Sequence, residues 1–230
     1  MLYMTQENFW LLYGDINMAL SKVDYNSLNV TAAASKALKW NSGADGFETG
    51  DIAGSMVLLA TETASSSATV TFDSNIDSTY SEYLFKFIDI HPATDGQELR
   101  VNFRDGSTSY DATKNSASFG AYNPEDGSDP LLAYKTATDV AQGTGVQPLV
   151  EYLGSDNDQS CAGILHLFDP SNTTFVKHYM ARTTYASQDD LTRDYYIDGY
   201  CNVTAAIDGV QFSMSSGNID AGVIKMYGVT

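Results

Sequence analysis

Basic side chains are scarce in this chain: twelve Lys and Arg stand against twenty-nine Asp and Glu, a formal net charge of −17. Such a chain repels a phosphate backbone, and no stripe of basic residues interleaved with aromatics offsets the repulsion, so nucleic acid is not expected as a partner. Cysteine is nearly absent. Cys161 and Cys201 are too few to staple a secreted scaffold and lack metal-ligand spacing. Each sits in or beside a strand-like run, where a small buried apolar side chain is expected; a bridge between the two stays open. No run of eighteen apolar residues occurs, so no membrane insertion is expected. The opening MLYMTQENFWLLYGDI has no basic start and no small-residue cleavage site, which makes it a poor signal peptide and places the expected start at Met1 or at Met18.

Catalytic signatures are missing as well. There is no G-x-S-x-G elbow to present a nucleophilic serine, and Gly143 and Gly145 form a lone glycine pair without the strand-to-helix context of a phosphate loop. His91, His166 and His178 are the only imidazoles. His166 and His178 fall in two runs joined by the turn Asp169-Pro170-Ser171-Asn172 and could face each other across a hairpin, but no third ligand is indicated, so ordinary strand histidines are expected. Asp126 with Asp129, and Asp156 with Asn157 and Asp158, gather hard oxygen ligands without matching the twelve-residue calcium loop. No enzyme, metal or cofactor is expected.

What the chain does have is strand chemistry. Fifteen Tyr and ten Phe accompany many Thr, Ser and Val, and no long helix-forming stretch competes with them, so the predicted class is all-β. The runs at residues 55–61, 68–73, 83–91, 97–104, 147–153, 163–169, 175–185 and 193–204 lead to a last segment, Ile207 to Thr230. There Val210, Phe212 and Met214 alternate with polar residues, Ser215 to Gly222 supplies turn residues, and Val223 to Tyr227 carries apolar bulk on both faces; the pattern predicts a terminal hairpin whose second arm lies between a core and a neighbouring surface. Eight to ten strands at this spacing predict a two-sheet sandwich, with an eight-stranded jelly roll the best match to the length. Residues 105–145, rich in Gly, Ser, Asp and Asn, are expected to form an irregular, outward excursion.

The first fifty residues differ. Asn8 to Leu20 and Ser27 to Trp40 can each hold a short helix or lie extended, and neither builds a core alone. Phe9, Trp10, Leu11, Leu12 and Trp40 therefore need another surface, and residues 1–50 are predicted to be an attachment arm preceding a domain at residues 51–230. Surplus tyrosines in and near loops, Tyr110, Tyr122 and Tyr134, together with Asn123, are candidate contacts for a receptor or partner. As a free-standing module, Tyr110, Tyr122 and Asn123 would serve as a carbohydrate site.

Two stretches carry a resemblance. The terminal segment, through Phe212, Ser216, Gly217, Asn218, Ile219, Gly222, Ile224, Met226, Tyr227 and Gly228, resembles the C-terminal end of small virion structural proteins of tailed bacteriophages, especially marine ones, of the tail-fibre, head-fibre and decoration types. Phe72, Ile76, Tyr80, Tyr83, Phe85 and Phe87 resemble that family's paired opening strands. The resemblance implies a jelly-roll domain displayed on a virion assembled in the host cytoplasm, a homo-oligomer with a trimer favoured, contacts with other virion proteins or a host surface glycan, and neither catalysis nor cofactor.

Overall fold

The computed structural model describes residues 36–50 and 56–230. The chain divides into two compact units, Met1–Gly54 and Ser55–Thr230. In the first, β1 (Ala37–Trp40) and β2 (Phe47–Gly50) pair antiparallel, with Trp40 opposite Phe47. Asn41 closes the turn: its backbone N–H donates to Gly46 O at 3.0 Å and its side chain binds Asp45, an Asx arrangement that the run Asn-Ser-Gly-Ala-Asp-Gly favours. The end of the predicted Ser27–Trp40 segment is thus strand rather than helix.

The second unit is all β. Its twelve strands are β3 (Met56–Ser67), β4 (Thr69–Phe72), β5 (Glu82–Pro92), β6 (Leu99–Arg104), β7 (Lys114–Pro124), β8 (Leu131–Tyr134), β9 (Gln147–Pro148), β10 (Cys161–Phe168), β11 (Lys177–Ser187), β12 (Leu191–Cys201), β13 (Gly209–Met214) and β14 (Ile219–Val229). They form an eight-stranded sheet, β3-β14-β5-β10-β11-β12-β7-β8, and a four-stranded sheet, β4-β13-β6-β9. Four antiparallel pairings are nested: β3 with β14, β4 with β13, β5 with β10, and β6 with β9. A long hairpin wound into two facing sheets produces that nesting, which is the jelly roll. Two insertions enlarge it. β7 and β8 lie between β6 and β9 in the chain, β11 and β12 between β10 and β13, and all four add to the β10 side of the larger sheet.

The two inner faces share one core. Phe72 and Phe212 from the small sheet meet Phe85 and Phe87 from the large one edge-to-face at 5.2–5.7 Å, and Phe103 meets Tyr179 at 5.0 Å. Past β9 the chain has no ladder over the extension, so side chains hold it down. Thr183 Oγ1 donates to Leu149 O at 2.8 Å, the Glu151 N–H donates to the Tyr185 hydroxyl at 3.0 Å, and Tyr179 donates to Gln147 Oε1 at 3.0 Å.

Several sequence expectations are corrected. β13 and β14 are not a hairpin; they belong to different sheets, because turn residues at 215–218 mark a reversal equally well when the chain crosses to the facing sheet. The turn at Thr94-Asp95-Gly96 likewise carries the chain from β5 to β6 in the other sheet. Residues 63–67, between the expected runs at 55–61 and 68–73, continue β3, an edge strand in which polar side chains are tolerated. Residues 105–145 contain an eleven-residue strand in the sheet interior. Its inward positions are Lys114, Ser116, Ser118 and Gly120, so no apolar alternation announces it; Tyr195, opposite Gly120, covers the glycine with its ring.

Candidate interaction surface

The outward faces of the two sheets differ in chemistry. On the small sheet, Thr69, Thr71, Gln211, Ser213 and Arg100 alternate with core residues, the composition of a face meant for water. On the large sheet the outward positions include Leu58 at 51% exposure, Met180 at 50%, Phe119 at 39% and Ile88 at 39%. These apolar side chains on one sheet face mark it as the candidate interaction surface.

Register fixes its rows. One row runs across all eight strands: Thr61, Lys225, Lys86, Ile164, Arg182, Tyr196, Phe119 and Tyr134. At one end the rings of Phe119 and Tyr196 stack at 4.9 Å and 4°, and the Arg182 guanidinium covers the other face of Tyr196 at 4.9 Å while its Nε and Nη2 hold Asp194 at 3.1 and 2.9 Å. Tyr196 is thus held between Phe119 and Arg182, while Phe119 remains 39% exposed. At the other end Lys225 and Lys86 stand directly opposite each other, with Lys86 Nζ 5.3 Å from the Tyr227 ring. Like charges opposed across strands repel, and among the described residues neither ammonium has a carboxylate partner. The next row holds Tyr227, Leu84, His166, Met180, Asp198 and Ala117. Small Ala117 leaves a hollow of about 520 Å³ bordered by His178, Met180, Asp198 and Tyr200.

Of the sequence-predicted site residues that are described, Tyr122, Asn123 and Tyr134 lie on the paired strands β7 and β8, whereas Tyr110 does not join them and Trp40 lies in the first unit. Trp40, 62% exposed, stacks on Phe47 at 4.4 Å in the first unit, while Phe9, Trp10, Leu11 and Leu12 lie outside the described residues. Tyr110 precedes β7 and carries the Arg104 guanidinium over its ring at 5.7 Å. Tyr122 lies near the far end of β7, roughly 26 Å of strand beyond Lys114, facing the Arg193 guanidinium at 5.6 Å. Asn123 points outward opposite Thr192, and Tyr134, on the edge strand β8, donates its hydroxyl to Asp139 at 2.8 Å. A sugar stacks on free ring faces; those of Tyr110 and Tyr122 face cations of their own chain, and the two tyrosines sit at opposite ends of the sheet.

The histidines also part company. His166 donates from Nδ1 to Glu82, His178 sits edge-on to Tyr200, and His91 Nε2 lies 3.2 Å from Ser155 O. His166 is opposite Met180, so the expected facing of His166 and His178 is displaced by one pleat. Among the described residues no group of three or more His, Cys, Asp or Glu is arranged to hold a metal ion. Cys161 and Cys201 are both free and buried.

Sequence reasoning missed the buried charges. Glu151, 7% exposed, accepts a hydrogen bond from the Tyr195 hydroxyl and lies 3.6 Å from Lys135 Nζ and 4.0 Å from Arg193. Burial, and then Glu151 beside it, push the Tyr195 phenol upward. One hydrogen-bond donor and two neighbouring cations around the carboxylate make Glu151 an anchor for the segment after β9. Nothing in the sequence marks these residues as neighbours, since Lys135, Glu151 and Arg193 come from separate stretches of the chain.

No protein-family model matches the chain, and no curated protein matches it at a significant level.

Proposed function

We propose that this chain is a non-enzymatic structural component of a tailed-bacteriophage virion, of the fibre or decoration type, whose first unit docks into the particle and whose jelly roll is displayed outward. The observation that carries the reading is the division of labour in the chain: a jelly roll with a complete core of its own, preceded by a separate unit that exposes the stacked Trp40 and Phe47. The resemblance at residues 69–92 and 207–230 supplies the virion context. The scattered, individually engaged histidines and the anchored Glu151 support a scaffold role, because nucleophilic and acid–base chemistry requires groups that converge on one point.

The test is incorporation. Tagged full-length protein and the same protein lacking residues 1–50 are produced in infected host cells, and particles are purified by density gradient. The full chain is expected in the particle fraction and the shortened one in the soluble fraction. Incorporation of both would remove the arm from the proposal, and incorporation of neither would overturn it.

A further inference from the structure

We propose that the outer face of the eight-stranded sheet is the docking site for a second copy of this chain, paired face to face about a two-fold axis that runs along the strands between β10 and β11. The inference does not depend on the virion reading. Four observations converge on it.

The first is the contrast already drawn: within one molecule the small sheet turns polar residues outward and the large sheet turns Leu58, Ile88, Met180 and Phe119 outward. The second is size. Seven interstrand spacings and strands of about nine residues give a face of roughly 30 by 30 Å, about 900 Å², near the ~800 Å² per partner of a stable interface.

The third is charge. The outer face carries the paired sets Glu82 with His166 and Arg182 with Asp194; Lys86, Lys225 and Asp198 have no ion-pair partner among the described residues. Opposed lysines destabilise the strand pair that bears them unless an anion meets them. Asp198 lies on β12, as far from the β10–β11 boundary on one side as Lys86 on β5 lies on the other.

The fourth is shape. In the row Tyr227, Leu84, His166, Met180, Asp198, Ala117, rotation about the proposed axis places the Tyr227 ring of one copy over Ala117 of the other, where the hollow lies. The same rotation brings Lys86 and Lys225 toward Asp198 of the second copy. Self-complementarity of this kind, ridge to hollow and cation to anion on a single patch, is the requirement of an isologous contact. Such a contact closes at two copies, which departs from the trimer that the resemblance implies.

The experiment is light scattering and sedimentation equilibrium of the full chain over a dilution series, with near-ultraviolet circular dichroism to verify folding. Wild type is expected to be dimeric. Asp198→Lys places like charges together and is expected to weaken the dimer roughly 100-fold, and Met180→Glu should do so independently. Asp198→Lys combined with Lys86→Glu and Lys225→Glu exchanges the charges and should restore affinity to within about tenfold of wild type. A wild-type monomer at all concentrations would overturn the proposal, including a monomer whose variants fail to join particles, since that result assigns the face to another protein. An oligomer unchanged in both single variants would also overturn it, because assembly would then use a different surface. A trimer sensitive to Asp198→Lys would overturn the two-fold pairing.

Discussion

Lys114 and Lys177 have fully buried side chains, an arrangement that costs heavily unless the ammonium is hydrogen-bonded. Lys177 Nζ donates to Val203 O at 2.6 Å and Asn172 O at 3.2 Å, and Lys114 Nζ to Ala112 O at 3.0 Å. Cys201 stands between them in register, opposite both. Burial pulls the Lys114 ammonium from its ordinary 10.5 down to about 8. The unfolded chain therefore binds more protons than the folded one between about pH 8 and 10.5, and over that range this group adds stability as pH rises. Lys114→Met removes that term alone. Urea unfolding of both proteins should show the stability of wild type relative to the variant increasing by about 2 kcal/mol across the window, and a pH-independent difference would refute the assignment. Gly222 is a second exacting position. Its φ is +121°, and a Cβ there would lie 2.7 Å from Asp89 O and 2.8 Å from Ile90 Cα, both backbone atoms at the bulge where β14 slips past β5. Gly222→Ala is expected to destabilise the domain by about 2–4 kcal/mol, read from the urea midpoint.

Among the elements, β14 lies between β3 and β5 along its length, while β8 is a four-residue strand at the opposite edge. Backbone amides open in order of how much structure must open with them. Hydrogen exchange followed by mass spectrometry should therefore find peptides of β14 and β5 protected longest and those of β8 exchanging first; protection of β8 equal to that of β14 would mean that something covers the edge. The strong apolar strand β5 was readable from sequence because Tyr83, Phe85, Phe87 and Ile90 all reach the core. β7 was not, because its inward positions are small or polar and its packing is supplied by Tyr195 from β12. The motif residues behind the phage resemblance lie in the same core: Phe72, Ile76, Tyr83, Phe85 and Phe87 are all buried, as are Phe212, Ile224 and Met226. That pattern describes how the sandwich packs.

At the scale of the whole molecule, alkaline pH is a global stress. Burial pushes the thiols of Cys161 and Cys201 from 9.0 up to about 12 and raises the buried phenols of Tyr179, Tyr185 and Tyr195. These groups are protonated in the folded state where the unfolded chain has lost the proton, so their contribution is fully present below about pH 9 and is lost as pH climbs toward 12. The urea midpoint of wild type should fall between pH 9.5 and 11.5, roughly, once these terms outweigh the gain from Lys114; Cys161→Ala with Cys201→Ala should flatten part of that fall. A midpoint constant across the range would mean that these groups reach solvent in the native state.

The sequence by itself determined the class: alternation, aromatic and β-branched content and turn spacing require a β-sandwich, since those are local properties of the backbone and of one face of each strand. Turn residues at 94–96 and 215–218 also told where the chain reverses. Whether it returns in the same sheet or crosses to the other, which strands extend the large sheet, and which of twelve basic residues remain without a counter-charge were decided only by tertiary structure. Those outcomes depend on pairings between residues as far apart as Met56 and Val229, and no local pattern encodes a partner so distant. The outer face of the large sheet is such a product: Lys86, Met180, Asp198 and Lys225 become one surface because the nested hairpin and its two insertions lay their strands side by side.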